Sequence, residues 1–177
     1  MQIETERLVL RFWEKEDAEE LFELAKDPDV GPACGWAAHK DLAESKAILE
    51  KVLMNEFTYA IVLKESGQVI GDISAMPKSQ SRFCENENQV EIGFWLGKSY
   101  WGKGYMPEAC KKLMEYCFEI MKLEKVWCAY STFNEKSRRA QEKCGFRFAY
   151  LDEAHSMVVN CMTREEWSRQ KLKKDKE

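Results

Sequence analysis

The chain alternates between stretches in which every second residue is apolar and stretches in which apolar residues recur every three or four positions. The first periodicity is typical of strands and the second of helices. RLVLRFW, near the amino terminus, is a predicted strand, and so is VEIGFWL in the middle of the chain. The latter divides its residues between two faces, with Val90, Ile92, Phe94 and Leu96 on one and Glu91, Gly93 and Trp95 on the other.

Helical spacing occurs in three amphipathic stretches. Their predicted inner faces are Ala18, Leu21, Phe22 and Ala25 in the first, Leu42, Leu49, Val52 and Leu53 in the second, and Ala109, Cys110, Leu113, Cys117, Ile120 and Met121 in the third. We expect the second helix to begin near Asp41. The third should begin near Met106 and Pro107, because proline suits the first turn of a helix.

The remaining patterns complete the predicted order. FTYAIVL and QVIGDIS flank a short turn and predict a hairpin, which the polar connector PKSQSRFCENENQ follows. KVWCAY, FRFAY and HSMVVNCM are predicted strands. NEKSRRAQEKCG is a predicted helix ending at Gly145, and Thr163 with Glu166 forms a capping-box pattern for a last helix. The order indicates a mixed α/β protein, expected to be one domain over residues 1–177 with a polar tail from about residue 168.

Composition narrows the possible functions. The net charge of -4, from 27 basic and 31 acidic residues, offers no basic field for nucleic acid. No stretch approaches the roughly 20 apolar residues of a membrane helix, and the first residues lack the apolar run of a signal peptide. We therefore expect a cytoplasmic protein whose seven cysteines are reduced and mostly buried. His39 and His155 have no neighbours at metal-ligand spacing, so no metal is expected.

The stretch SYWGKGYMPEA raises the question of an anion site. A dinucleotide-binding fingerprint would need glycine where Pro107 stands. A P-loop would need a hydroxyl residue after Lys103, and Gly104 stands there instead. A third explanation needs no metal: Gly102 and Gly104 let several N–H groups point into one concavity ahead of a helix, which suits a pyrophosphate. A turn that merely caps a core helix, without any ligand, is the alternative.

The same stretch carries a resemblance to a known family. EIGFWLGKSYWGKGYMPEA, followed by NEKSRRAQEKCGF, resembles the GNAT acetyltransferase superfamily, and more narrowly its ribosomal-protein N-terminal acetyltransferases. ETERLVLR and TREEW also match that branch, so the resemblance covers residues 4 to 167. The family's loop begins with glutamine or arginine and ends with glycine or alanine. Here Trp101, which is usual in this branch, and Met106, which is a departure, occupy those two places.

The resemblance implies a fold and an activity. The fold would be a central twisted, mostly antiparallel sheet flanked by helices. The activity would be acetyl-CoA-dependent N-acetyl transfer to a primary amine, either a protein N-terminus or a small molecule, by direct attack in a ternary complex. A non-catalytic CoA-binding or regulatory module of the same fold is the alternative. Acetyl-CoA and the amine are the expected partners, and both a monomer and a homodimer remain open.

The resemblance also assigns residues to the cosubstrate. The phosphate-binding loop would comprise Gly102, Lys103, Gly104, Tyr105 and Met106, with backbone amides as donors. A backbone N–H near Trp95 or Leu96 would stabilise the oxyanion. Asn134 would hydrogen-bond the pantetheine arm, although it also fits a helix N-cap.

Two residues are predicted to be catalytic. Glu91 would take the proton of the amine, directly or through water, unless it is a charged residue on a solvated strand face. The Ser137 hydroxyl would reach the sulfur of the leaving thiolate, unless it is a solvated first-turn serine. Glu108 is a weaker candidate for the base. The acceptor cleft would be walled by DVGPACGWAAHK and the polar connector, and Trp36, His39 and Trp95 either line it or are packing residues.

Overall fold

The computed structural model describes residues 2–174, which form eight strands and five helices. The strands are β1 (Gln2–Glu4), β2 (Leu8–Phe12), β3 (Thr58–Leu63), β4 (Val69–Pro77), β5 (Gln89–Leu96), β6 (Lys125–Ser131), β7 (Arg147–Asp152) and β8 (Met157–Thr163). The helices are α1 (Ala18–Ala25), α2 (Leu42–Ile48), α3 (Tyr105–Glu115), α4 (Glu135–Cys144) and α5 (Arg164–Lys174).

The strands form one sheet in the order β1-β2-β3-β4-β5-β6-β8-β7. β5 and β6 are parallel, and the other pairs whose register is described are antiparallel. The predicted mixed α/β fold with a mostly antiparallel sheet is therefore confirmed. β1 was not predicted, because three residues with a single buried side chain, Ile3, are too few to show a period.

Two π-helical turns explain where the predicted inner faces fail. Leu49–Leu53 continues α2 and Tyr116–Ile120 continues α3 with this wider turn. An added residue per turn rotates the following side chains away from the face they would occupy in an α-helix. Ile120 and Met121 are consequently 67% and 46% exposed, and Val52 is 58% exposed. The prediction that these three side chains face inward was wrong.

The chain packs as two compact units. The first contains the residues up to Ala75 together with Gly93–Lys112, and the second contains Met76–Ile92 and the residues from Leu113. In the first unit α1 and α2 cover the sheet through a core whose buried members are Trp13, Ala18, Leu21, Ala25, Leu49, Ala60, Val62 and Val69. The assignment of the chain to one domain stays a prediction.

The second unit has a core of its own around Trp127. Phe83, Cys84 and Val159 pack with this indole, whose Nε1 donates to Gln89 Oε1 at 2.7 Å. Phe83 and Cys84 belong to the segment predicted as a polar connector, so that segment anchors itself with two buried side chains. This anchoring gives the connector a defined course past the end of β4.

The predicted helix ends are confirmed. Gly145 adopts φ +86° at the end of α4, in the left-handed region that favours glycine. At the start of α5, Glu166 N donates to Thr163 Oγ1 at 3.2 Å and Thr163 N donates to Glu166 Oε2 at 3.0 Å. α5 continues to Lys174, so most of the expected polar tail is helical, and its last three residues lie outside the described range.

Between residues 2 and 174, no helix is both long and apolar enough to cross a membrane. Within the same range, no cluster of histidine, cysteine, aspartate and glutamate could hold a metal ion. Five of the seven cysteines are buried, whereas Cys34 is exposed and Cys161 is half-buried.

Candidate active site

The turn before α3 has the backbone geometry that its glycines permit. Gly102 and Gly104 adopt φ +77° and +83°, which side chains rarely tolerate. Glu108 N donates to the Gly104 carbonyl at 3.2 Å, so α3 begins at Tyr105, one residue earlier than predicted. The backbone N–H groups that precede Glu108 lie too near the helix start to find an acceptor within the helix, and together with the helix dipole they favour an anion.

Space is available for a ligand at this turn. A Cβ atom built on Gly102 would meet no heavy atom within 4 Å, and one built on Gly104 would meet only Arg7 Nη2, at 3.5 Å. The Met106 side chain is 6% exposed and therefore packs inside the protein. Its departure from the family's small residue is accommodated by the core and leaves the open side of the turn clear.

The end of β5 is fixed by the neighbouring backbone and by Trp101. Trp101 Nε1 donates to the Leu96 carbonyl at 2.8 Å, and Gly97 N donates to the Ile70 carbonyl at 2.9 Å. A Cβ atom on Gly71 would lie 2.3 Å from the Trp95 carbonyl oxygen, so β4 and β5 approach closely there. Trp101, at the first place of the loop, thus fixes the position of Leu96, the last residue of β5.

Arg7 braces the loop, although no sequence pattern indicates such a role for it. Its Nη1 donates to the Lys103 carbonyl at 3.1 Å, its Nε donates to Glu108 Oε2 at 2.7 Å, and its guanidinium lies 4.5 Å from the centre of the Tyr105 ring. Thr5 Oγ1 also donates to Glu108 Oε1, at 2.6 Å. No local signal reveals this group, because its two halves are about a hundred residues apart in the chain.

The same contacts remove Glu108 from the list of candidate bases. Burial raises the pKa of its carboxyl, but hydrogen bonds from Thr5 and Arg7 and the charge of Arg7 outweigh burial, and the pKa is lowered. A carboxylate held in an ion pair with a lowered pKa is a poor proton acceptor at neutral pH. Glu108 is therefore a structural anchor of the loop.

Glu91 is half-buried on β5 and hydrogen-bonded. Ser81 Oγ donates to Glu91 Oε2 at 2.7 Å and accepts from the Phe83 and Cys84 backbone N–H groups at 3.1 and 3.3 Å. Burial raises the pKa of Glu91, and the Ser81 hydrogen bond and the Arg82 charge oppose that rise. A carboxyl with a raised pKa is better matched to proton transfer near neutral pH than an ordinary glutamate.

Ser137 belongs to a buried chain of hydrogen bonds. Asn160 Nδ2 donates to Gln141 Oε1 at 2.8 Å, and Gln141 Nε2 donates to Ser137 Oγ at 3.2 Å. Gln141 is fully buried. Because the Ser137 oxygen accepts this bond, its own O–H remains a donor for another atom.

Asn134 Oδ1 accepts from Ser137 N at 3.0 Å, which confirms Asn134 as the N-cap of α4.

The expected lining residues differ in their surroundings. His39 is buried, its Nδ1 lies 2.8 Å from Ser45 Oγ, and burial lowers its pKa, so it is a packing residue. Trp36 and Trp95 meet edge to face with ring centres 5.5 Å apart. Lys103 Nζ lies 5.6 Å from the centre of the Tyr100 ring.

Each unit holds part of the predicted site. The first unit contains Trp95, Leu96, Gly102, Lys103, Gly104, Tyr105 and Met106, and the second contains Glu91, Asn134 and Ser137. The first group combines a strand end with an anion-binding turn. The second group combines a carboxylate of raised pKa with an oriented hydroxyl.

Comparison with known proteins identifies the family of this chain. The family described as the acetyltransferase (GNAT) domain matches residues 7–147. Uncharacterized N-acetyltransferase p20 of Bacillus licheniformis is 28% identical over 151 residues, which are 81% of this chain and 80% of the relative. A GNAT-family acetyltransferase structure from Bacillus anthracis matches with a TM-score of 0.82 and 25% identity, over 94% of this chain and 100% of that one.

A structure of lower sequence identity supports the fold alone. Ribosomal-protein-S5-alanine acetyltransferase from Vibrio fischeri matches with a TM-score of 0.70 and 19% identity, covering 94% of this chain and 98% of that chain.

The family match over most of the chain is decisive: the chain belongs to the acetyltransferase (GNAT) family. By class it is an N-acetyltransferase.

Proposed function

We propose that the protein transfers the acetyl group of acetyl-CoA to a primary amine, a protein N-terminus or a small molecule, by direct attack in a ternary complex. The main support for this proposal is the turn at Gly102 and Gly104. It has two positive φ angles, open space at Gly102 and a helix start directly after it. These features fit the pyrophosphate of CoA.

Binding of the cosubstrate would use mainly backbone groups. The amides of Gly102, Lys103, Gly104 and Tyr105 would donate to the phosphates, and the buried Met106 side chain anchors the first turn of α3. Arg7 holds the Lys103 carbonyl and neutralises Glu108, so the carboxylate nearest this helix start does not repel the phosphates. Asn134 would donate to the pantetheine arm through its amide group while its oxygen caps α4.

The reaction begins with an amine that is mostly protonated. An α-amino group has a pKa of about 8 and a lysine about 10.4, so the attacking nitrogen must first lose a proton. Glu91 would accept it, directly or through water. The nitrogen lone pair then forms the C–N bond with the thioester carbon, while a backbone N–H near Trp95 or Leu96 stabilises the oxyanion.

Collapse of this adduct breaks the C–S bond and restores the carbonyl. The second proton of the nitrogen leaves to solvent, and the sulfur departs as a thiolate whose ordinary pKa is about 8.5. The Ser137 hydroxyl would donate a hydrogen bond to that sulfur. Gln141 orients the hydroxyl for this role by occupying an acceptor position on Ser137 Oγ.

The test is a thiol-release assay with acetyl-CoA across a panel of amines and N-terminal peptides, with mass spectrometry of the product. The expected result is amine-dependent thiol release with one acetylated product per thiol. CoA binding without thiol release for any amine would favour the non-catalytic module. Failure to bind CoA at all would leave the turn as a structural cap.

A further inference from the structure

The hydroxyl of Ser81 has a fixed direction toward the carboxyl of Glu91. Ser81 Oγ lies 2.7 Å from Glu91 Oε2, and the same oxygen accepts from the backbone N–H groups of Phe83 and Cys84 at 3.1 and 3.3 Å. A serine hydroxyl has one proton and two lone pairs. Because both lone pairs are taken by N–H groups, Ser81 can act toward Glu91 only as a donor.

This arrangement makes the two oxygens of the carboxyl different. Glu91 Oε2 accepts from Ser81, and it cannot donate a proton to Ser81 Oγ, which has no lone pair left. Among residues 2–174, no hydrogen-bond partner is described for Glu91 Oε1. Protonation of Oε1 preserves the bond from Ser81, because Oε2 then remains as the carbonyl oxygen of the acid. A proton is therefore best received at Oε1.

The segment that carries Ser81 is held in place on both sides of it. Ser81 N donates to the carbonyl of Pro77, the last residue of β4, at 3.0 Å. The two residues whose N–H groups bond to Ser81 Oγ are buried against Trp127, which lies opposite Glu91 in the parallel β5–β6 pair. The hydroxyl is thus attached to the same packed layer as the carboxyl that it contacts.

The charges around Glu91 leave room for such a contact to matter. Burial raises the pKa of Glu91, and Arg82 lowers it through its charge. The other titratable groups that interact with this carboxyl are Cys84, Cys128 on β6 and Tyr150 on β7, and burial raises the pKa of each, so all three are neutral near pH 7. Over the described range, no cation forms an ion pair with Glu91. A hydroxyl, rather than a cation, is bonded to the carboxyl.

We infer that Ser81 is a positioning residue for proton transfer: its hydroxyl holds Glu91 Oε2 and leaves Oε1 to take the proton of the attacking amine. The proton passes from nitrogen to Oε1, directly or along one water, and Glu91 later releases it to solvent. The bond also favours the ionised carboxyl, because a hydroxyl bonds more strongly to a carboxylate than to a neutral acid. The inference rests on the proposed function for the role of Glu91.

The first test measures the carboxyl itself. Protein labelled with carbon-13 in its glutamate carboxyl groups is titrated by NMR, and Glu91→Gln identifies the signal. The pKa of Glu91 should be higher in Ser81→Ala than in wild type, because the donor to the ionised form is lost. Ser81→Thr keeps the hydroxyl and should match wild type. Ser168→Ala, which removes a hydroxyl that donates to the Arg164 carbonyl in α5, is the control.

Turnover provides the second readout. In Ser81→Ala, kcat at saturating amine should fall by about tenfold and its acid limb should move to higher pH, while KM for the amine and CoA affinity change little. Ser81→Thr should restore the wild-type profile. Ser81→Cys keeps the shape with a weaker donor and should deviate in the same direction as alanine, which covers the case that Ser81→Ala does not fold.

Two results would overturn the inference. One is an unchanged pKa of Glu91 in folded Ser81→Ala and Ser81→Cys proteins, and the other is a pH–rate profile that keeps its wild-type shape in both. Wild-type protein that never releases thiol with any amine would instead contradict the proposed function. In that case the NMR titration would still decide whether Ser81 controls the carboxyl of Glu91.

Discussion

Arg7 and Glu108 form an ion pair, with Nη2 and Oε2 2.6 Å apart, that joins the start of β2 to the first turns of α3. The pair occupies the base of the proposed phosphate loop, since Arg7 also holds the Lys103 carbonyl. A carboxylate this close to a helix N-terminus favours the helix but opposes a second anion. Arg7 lets Glu108 stabilise the helix start without repelling a bound phosphate, because the positive charge of Arg7 offsets the negative charge of Glu108.

Replacement of Arg7 should therefore weaken CoA binding through charge. Arg7→Gln should lower CoA affinity by about tenfold, an effect of the size that helix-end and paired charges produce, and Arg7→Gln combined with Glu108→Gln should recover part of the loss. Calorimetric titration with CoA at low and high salt measures both effects. Arg169→Gln, which breaks an exposed pair with Glu165, is the control. Unchanged affinity in a folded Arg7→Gln protein would contradict the assignment.

The turn glycines provide a second prediction. Gly104→Val places a branched residue at a positive φ, so the turn must rearrange and CoA affinity should fall by about tenfold or more. Gly67→Val imposes the same strain in the β3–β4 hairpin, where φ is +73°, and should lower stability without affecting CoA. Thermal unfolding and calorimetry of both variants separate strain from ligand binding. Similar CoA affinities in the two variants would argue against a phosphate site.

Glu91 and Ser137 should differ in their pH dependence. Glu91→Gln should lower kcat by about 10- to 10⁴-fold, and the loss should shrink as pH rises toward the pKa of the amine, since less proton removal is then needed. Ser137→Ala should also lower kcat, with a loss that does not shrink, because the leaving sulfur is unaffected by amine protonation. A pH–rate series at saturating acceptor compares them. Nearly full activity of Glu91→Gln at all pH values would exclude it as the base.

Gln141 should act only through Ser137. Gln141→Met keeps the approximate volume and removes the three hydrogen bonds of the amide with Ala129, Ser137 and Asn160. Stability should therefore fall by about 1–3 kcal/mol as Asn160 loses its acceptor. It should also lower kcat, yet add nothing in a Ser137→Ala background. Gln170→Met, which breaks a contact between α5 and the Gly145 carbonyl, is the matched control. Additive losses in the double variant would show that Gln141 has only a structural role.

Asp72 should make stability depend on pH. Burial raises its pKa from 3.8 to about 7, although the Trp13 hydrogen bond opposes the rise. The folded state thus holds a proton that the unfolded state releases, so stability falls as pH rises between about 4 and 7. Asp72→Asn should remove this fall and exceed wild type by up to about 4 kcal/mol above pH 7. Chemical unfolding at pH 4 and pH 8 measures it, and a constant difference between the proteins would contradict the raised pKa.

Most of the fold could be predicted from the sequence because it depends on local periodicity. The alternation in VEIGFWL and the spacing in α1 correctly predict β5 and the buried residues Ala18, Leu21 and Ala25. Capping patterns correctly predict the ends of α4 and α5. The exposed Ile120 and Met121 could not be predicted, because a π-helical turn has no reliable sequence signature and shifts every residue after it.

The candidate site likewise has some features that local sequence patterns predict and others that they do not. The turn glycines and the N-cap role of Asn134 are local properties, and the structure agrees with both. The partners of the functional groups were not predictable, because they come from distant parts of the chain. Ser81, which donates a hydrogen bond to Glu91, lies in the segment predicted only as a polar connector. Asn160, which donates a hydrogen bond to Gln141, links β8 to α4.

Direct acetyl transfer from acetyl-CoA to an amine can be tested by single-turnover analysis. Purified protein is mixed with acetyl-CoA, with and without a primary amine, and thiol release is followed alongside intact-protein and product masses. We expect thiol to appear only when the amine is present, in an amount equal to that of the acetylated amine, while the protein mass stays unchanged. Thiol release without the amine, accompanied by an acetylated protein, would contradict direct attack.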